Sequence, residues 1–339
     1  MSANIYDGKA LVAKMSARIK REAERLRRQR HLEVGLGILL VTGDQVSMAE
    51  AGKIATIAKE SGVKVHMESV AQRNIERKFY PALEEYATSP FVQGIYIQLP
   101  LPTEIVPLSE VMRRLPPEKD VAGLHFVNRG MSTYPPHQVE ATVHPPEMLA
   151  VAAALKECKI DLKGGKVVLI GSNATIGAVK LLAAYLYGRG CSVRLLHYSD
   201  IPAVSTSKTA QRLKSVEEPG GEQPYIVNPD GEAVITWTNR PGWLSRANLK
   251  PKSIVVDMGY RFAHGRISGD CDFPSVAQTA ASVTPVPGGI RSIVHVMVLQ
   301  NLMELIYRQT GEVEQKARES IERRFNSKRS APSRRLKGG

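Results

Sequence analysis

Cysteine is scarce and long apolar runs are missing from this chain of 339 residues. The three cysteines, Cys158, Cys191 and Cys271, are widely spaced and match neither a disulfide framework nor a zinc-ligand pattern. No metal site is expected from them, and they favour a reducing compartment. No stretch reaches the roughly eighteen consecutive apolar residues of a membrane-spanning helix, and the N-terminus lacks the charged-then-apolar order of a secretory signal. Membrane insertion and secretion are therefore not expected, which leaves a cytoplasmic or mitochondrial setting. No internal repeat is evident. Acidic residues are also short, with Asp and Glu numbering 33 against 46 Lys and Arg, for a formal charge of +13.

That charge is concentrated near the ends of the chain. Lys20, Arg21, Arg25, Arg27, Arg28 and Arg30 fall on one helical pattern, and more basic residues follow from Lys316, including Arg323 to Lys337. Such surfaces attract polyanions: nucleic acid, acidic membrane or a polyglutamylated cofactor. A solvated helix face and a flexible tail explain the same composition.

With 43% hydrophobic residues the chain can build about two domains with proper cores. Leu11, Met15, Ile19, Ala23 and Leu26 recur at helical spacing, which predicts an amphipathic helix over 8–30. Strands are expected at 36–41, 63–67 and from Gly94, with helices at 48–61 and 75–88 between them. This alternation predicts a parallel sheet covered by helices on both faces. A Pro-, His- and Thr-rich stretch from Thr133 to Pro146 reads as a hinge. Beyond it, a helix at 148–157 leads to strand Lys166–Gly171, a tight turn, an apolar helix at 178–188 and strand Ser192–His197, a β-α-β unit of nucleotide-binding type. Further strands are expected at 233–237 and 253–257, a surface insertion between Ser205 and Asp230, and an apolar helix from Ile293 to Tyr307.

Two places carry chemistry. Gly94-Ile-Tyr-Ile-Gln-Leu-Pro-Leu-Pro102 sets a lone amide side chain, Gln98, at the carboxyl end of an apolar strand, with Pro100 and Pro102 stiffening the exit. Ligands of α/β sheets bind at such ends. In Gly171-Ser-Asn-Ala-Thr-Ile-Gly177 the glycines flank a strand-to-helix turn, where backbone amides and the helix dipole suit a pyrophosphate.

Gly94–Pro102, Val283-Thr-Pro-Val-Pro-Gly-Gly-Ile290 and Pro117-Glu-Lys-Asp-Val-Ala-Gly123 together resemble, in order, the hallmark loops of the methylenetetrahydrofolate dehydrogenase/cyclohydrolase family, over roughly residues 5 to 310. The resemblance implies an α/β fold of two domains, an N-terminal folate-type domain over 1–145 and a Rossmann-like NAD(P)-binding domain over 146–290. It also implies a C-terminal helix over 291–312 that returns to the first domain, ahead of a basic tail at 313–339. Family-like sequence begins at Ile5-Tyr-Asp-Gly-Lys9, so no long transit peptide is expected in the chain. NADP or NAD is the implied cofactor, a tetrahydrofolate derivative the implied substrate and a homodimer the implied assembly.

Carried onto this sequence, the cofactor positions are Gly171, Ser172, Asn173, Ile176, Gly177, His197 and Tyr198. The family's Arg after the first Gly is absent, and with it a bidentate partner for a 2′-phosphate. Asp200 could accept from a free ribose 2′-OH and favour NAD, or be an ordinary loop residue. Asn239 stands at a glycine position of the nicotinamide loop. Folate contacts are expected from Asp120, Pro285, Pro287, Gly288 and Gly289.

The family's catalytic Tyr and Lys stand one helical turn apart with a Gln nearby, a spacing that puts both on one helix face. Here Gln98 is kept. One placement of a gap gives Glu50 and Ile54 for the pair and the other gives Ala49 and Lys53; the first is preferred, because a gap inside the helix would rotate the following face by about 100°. Lys53 is the other catalytic candidate. Ala122 replaces the pterin-binding Asp, Thr142-Val-His-Pro145 replaces the Pro-Cys-Thr-Pro turn, and Arg291 brings charge to the mouth of the site.

Two functions follow. One is a divergent dehydrogenase of one-carbon folate metabolism, NAD(P)-dependent, with cyclohydrolase activity weak or lost. The other is a catalytically inactive homologue without cofactor, serving as a structural subunit of an RNA–protein assembly, such as a ribosomal or organellar particle, through its basic termini. A folate- or nucleotide-binding protein with no partner is the third reading.

Overall fold

The structure is a computed structural model that describes residues 3–102, 104–136, 138, 143–201, 225–263 and 266–310. Thr142, most of the expected insertion and the basic tail lie outside the described residues. In chain order the elements are β1 (Asn4–Ile5), α1 (Lys9–Arg30), β2 (Gly35–Thr42), α2 (Gln45–Glu60), β3 (Lys64–Ala71), α3 (Ile75–Thr88), β4 (Gly94–Ile97), α4 (Leu108–Arg114), α5 (Phe126–Ser132) and α6 (Pro146–Glu157). There follow β5 (Lys166–Gly171), α7 (Ile176–Tyr187), β6 (Ser192–His197), β7 (Ala233–Trp237), β8 (Ile254–Asp257), β9 (Arg261–Ala263), β10 (Arg266–Ser268), α8 (Phe273–Val276), β11 (Ser282–Val283) and α9 (Ile290–Gln309).

These elements build two α/β domains, as expected. The first holds a three-stranded parallel sheet in the order β3-β2-β4. Its middle strand β2 is apolar and buried along nearly its whole length, as befits a strand covered on both faces. The second holds a six-stranded parallel sheet in the order β1-β11-β8-β7-β5-β6. Strand β1 was not legible in the sequence: two residues have no period, and only their pairing with Ser282 and Val283 makes them a strand. That pairing ties the extreme N-terminus to the second sheet.

Helix α9 joins the two domains. Ile290, Ile293, Val294 and Met297 at its start pack into the core formed by α6, β5 and α7. Val296, Val298, Leu299, Leu302 and Ile306 pack into the core of α1, β2 and α2. A helix apolar on nearly every side is what such double burial requires. The amide of Asn301 donates to the carbonyls of Val121 and His144, both at 2.8 Å, so the helix also pins the loop between α4 and α5 and the one entering α6. Gly94 permits this closeness. A Cβ there would stand 2.4 Å from Val121 and 2.6 Å from Leu302.

Candidate active site between the domains

Strand β4 ends at Ile97, and Gln98 follows at its carboxyl edge as the sequence led one to expect. The Leu99–Pro100 and Val286–Pro287 peptide bonds are both cis. Pro285, Pro287, Gly288 and Gly289 line a small cleft from one loop, Arg291 from the first turn of α9, and Asp257, Gly259 and Tyr260 from the end of β8.

Helix α2 faces the cleft. Asp44 caps it by accepting from the Ser47 amide at 2.9 Å. Its inward stripe is Ser47, Glu50, Ala51, Ile54, Ala55 and Ala58, so Glu50 is a charged residue on an otherwise small and apolar face. Buried charges of this kind survive only with partners. Glu50 has them. Its Oε1 accepts from Lys53 Nζ at 2.9 Å and from the Tyr260 hydroxyl at 2.8 Å, and its Oε2 accepts from His295 Nε2 at 2.8 Å. Arg291 Nε lies 3.9 Å from Oε2, with its guanidinium carbon 4.8 Å from the centre of the Tyr260 ring. Burial pushes the Glu50 carboxyl up, but the donors from His295, Lys53 and Tyr260 outweigh it and hold the group at about 2. Burial and the bond to Glu50 push the Tyr260 phenol upward. Residues 50 and 53 come from the first domain, Tyr260 from the second, and Arg291 and His295 from the helix that joins them.

The catalytic candidates separate accordingly. Ile54 is fully buried in the first core and offers no chemistry. Lys53 is half exposed, and its amine is held by Glu50 rather than by Gln98. The Gln98 amide donates to the Leu99 carbonyl at 2.6 Å, and its Oε1 accepts from the Tyr96 hydroxyl at 3.3 Å. Burial pushes the Tyr96 phenol upward. Sequence reasoning missed Tyr96 and Tyr260. Tyr96 was within reach, since residues two apart on a strand share a face; Tyr260 and His295 are far from Glu50 in sequence and leave no local signal.

Asp120 corrects an expectation. It is fully buried, and its oxygens accept from the amides of Ala122 at 3.2 Å and His125 at 2.8 Å and from Asn128 Nδ2 at 2.9 Å. A carboxylate so enclosed folds the loop into α5. The neighbouring Val143–Pro145 segment places His144 against Ser132, with Nδ1 3.0 Å from its hydroxyl, while Nε2 accepts from Arg189 at 3.0 Å. Burial, then the charges of Arg189 and Arg308, push His144 down to about 4. It is a neutral structural imidazole.

In the second domain Gly171 ends β5 and the turn to α7 is closed on itself. The Ser172 hydroxyl donates to the Thr238 carbonyl at 2.8 Å, and that of Thr175 donates to the Trp237 carbonyl. Asn173 and Gly177 are exposed, Ile176 opens α7, and a Cβ on Gly177 would meet nothing within 4 Å. The Ile176 amide donates to the Ser172 carbonyl at 2.8 Å and the Val179 amide to the Thr175 carbonyl at 3.0 Å, which leaves the amides of Gly177 and Ala178 as the ones a phosphate group could take. His197 and Tyr198 lie where β6 ends, with Nδ1 of His197 accepting from the Ser199 amide at 3.3 Å. Asn239 has φ 55°, a conformation this residue tolerates, and its Oδ1 accepts from the Tyr260 amide at 3.1 Å. Asp270 fixes the same loop, accepting from the amides of Thr238 at 2.6 Å and Arg240 at 3.0 Å. Burial and the nearby Asp270 carboxylate push the Asp257 carboxyl upward.

Comparison with known proteins agrees with this arrangement. Residues 6–122 match the model of the tetrahydrofolate dehydrogenase/cyclohydrolase catalytic domain, and residues 225–310 match that of the NAD(P)-binding domain of the same family. The bifunctional protein FolD of Desulforamulus reducens is 27% identical over 309 residues, covering 91% of this chain and 98% of that protein. FolD of Nitratiruptor is 29% identical over 304 residues, covering 88% and 96%. The crystal structure of the bifunctional FolD methylenetetrahydrofolate dehydrogenase/cyclohydrolase from Campylobacter jejuni superposes with a TM-score of 0.73 at 26% identity, covering 91% of this chain and all 100% of that one. Among the described residues no helix is long and apolar enough to cross a membrane.

Proposed function

The chain belongs to the tetrahydrofolate dehydrogenase/cyclohydrolase family, and from that premise we propose that it is a one-carbon folate protein that keeps the dehydrogenase half-reaction and has lost cyclohydrolase activity. One observation carries the reading: the Lys53 ammonium is bonded to Glu50, with Tyr260 and His295 on the same carboxylate. Hydrolysis of a methenyl bridge needs a group that can move protons to and from the reacting nitrogen and water. An ammonium that neutralises a buried carboxylate is poorly suited to that, because releasing its proton would leave Glu50 with one charged partner fewer.

Hydride transfer asks for less. It depends mainly on holding two ligands in register. The Pro285–Gly289 loop and Gln98 would flank the folate, and the Ser172–Gly177 turn would hold the phosphates of the nicotinamide dinucleotide, which when bound supplies the hydride acceptor. Asn239 and Tyr260, tied to each other, would border the nicotinamide side of that site without separating the two ligands.

The purified protein is expected to reduce a nicotinamide cofactor with 5,10-methylenetetrahydrofolate and to leave 5,10-methenyltetrahydrofolate to hydrolyse at the rate of buffer alone. Methenyl hydrolysis that is accelerated by the wild-type protein and abolished in Lys53→Met would overturn the loss of cyclohydrolase. Absence of cofactor reduction with either NAD or NADP would overturn the dehydrogenase reading.

A further inference from the structure

The family's Arg for a 2′-phosphate is missing from the first turn, where Ser172 and Asn173 stand, yet the structure brings another guanidinium to the place where a ribose would lie. Strand β5 runs between β6 and β7. The loop after β7 is pinned across the end of β5 by four bonds: Ser172 Oγ and Thr175 Oγ1 hold its carbonyls, and Asp270 holds the amides of Thr238 and Arg240. From this anchored backbone the Arg240 side chain reaches past the end of β5 toward that of β6. Its guanidinium carbon rests 4.5 Å from the centre of the Tyr198 ring, just past the end of β6.

In a doubly wound sheet the residue at the end of this second strand decides the cofactor: an acid accepts from the free 2′-OH of NAD, while an Arg nearby accommodates the 2′-phosphate of NADP. Both residue types are present. Asp200 has its Oδ1 occupied by the Ser199 hydroxyl at 3.2 Å. Arg240 is exposed and, among the described residues, forms no ion pair. Its aromatic support is built: Trp243 meets the Tyr198 ring edge to face, with centroids 5.2 Å apart. On the ring that packs against Tyr198 and on the residue before it, two N–H donors are buried without an acceptor, Nε1 of Trp243 and Nε2 of His197. Because the Nδ1 of His197 accepts from Ser199, the ring proton is on Nε2. A guanidinium with a planar brace and neighbouring orphan donors calls for an oxyanion of high charge.

We propose that Arg240, braced on Tyr198, is the specificity-determining residue that recognises the 2′-phosphate of NADP and gives this chain its preference over NAD. The inference rests on the reading that the second domain binds a nicotinamide dinucleotide, and the test separates the two. The chain has two tryptophans, Trp237 and Trp243, and both stand at this site, so intrinsic fluorescence reports on it directly. NADP, NAD, 2′,5′-ADP and 5′-AMP are titrated against wild type, Arg240→Ala and Arg240→Lys. Wild type is expected to bind NADP and 2′,5′-ADP more tightly than NAD and 5′-AMP. Arg240→Ala should weaken the two phosphorylated ligands about 10- to 100-fold while leaving NAD unchanged, with Arg240→Lys between them. Equal affinity for NADP and NAD, or an Arg240→Ala loss shared by both, overturns the role of Arg240 alone. Binding of none of the four ligands overturns the cofactor reading and the inference together.

Discussion

Replacing Glu50 by Gln removes one charge from the contact that holds α2 against Tyr260, Arg291 and His295, and the structure sets the size of the effect. Holding this carboxyl at about 2 rather than its ordinary 4.5 corresponds to at most about 3 kcal/mol. Lys53 and Arg291 stand on the solvent side with side chains 49% and 31% exposed, and screening there brings the expected loss at neutral pH to about 1–2 kcal/mol. The sign follows from a depressed folded-state value. The contribution is fully present above 4.5 and disappears as pH falls through about 2. The stability difference between wild type and Glu50→Gln should therefore fall to roughly three fifths of its neutral value by about pH 3.5, and to about a quarter by about pH 2.5. Urea unfolding followed by far-UV circular dichroism, at a series of pH values, measures that difference. A difference that stays constant from neutral pH to about pH 2.5, or a Glu50→Gln protein as stable as wild type, would refute the assignment of Glu50 as an ionised interdomain contact.

Asp120→Asn leaves one of three internal donors without its acceptor in a fully buried loop, and should cost about 1–3 kcal/mol in urea unfolding while folate affinity is unchanged. A selective loss of folate binding would return Asp120 to the ligand site. His144, pushed down to about 4, should titrate there by NMR, with its ring proton on Nδ1 at neutral pH. Because the folded state prefers the neutral ring, its effect is to lower stability as pH falls from 6.5 to about 4. A histidine signal at this site with an ordinary midpoint would contradict that.

The fold was largely readable because its signals are local. The run Leu36–Val41, the stripe of α1 and the Gly171–Gly177 turn each carry their period within one element, and strand, helix and turn formed within a few residues of the expected bounds. Short pieces escaped: β1 exists only through its pairing with β11, and β11 only through its pairing with β1 and β8. The candidate site was readable only as a frame. Gln98 and the Pro285–Gly289 loop came out where motif and strand end put them, whereas Asp120 looked like a ligand until its three donors were seen. Asp120 and Glu50 are both acids in motifs, and nothing in their neighbours' identities tells a loop-folding carboxylate from a cleft one.

The sequence by itself determined the two-domain α/β architecture and the family, since periodicity and motif order do not depend on contacts between distant residues. The tertiary structure alone decided where the charges go. It set Glu50 among Lys53, Tyr260, His295 and Arg291, carried Arg240 across β5 to Tyr198, and buried Ile54. Electrostatic partners are chosen by distance in space, and in this chain the deciding pairs, such as Glu50 with His295 and Tyr198 with Arg240, are brought together only when strands and helices from separate parts of the sequence pack.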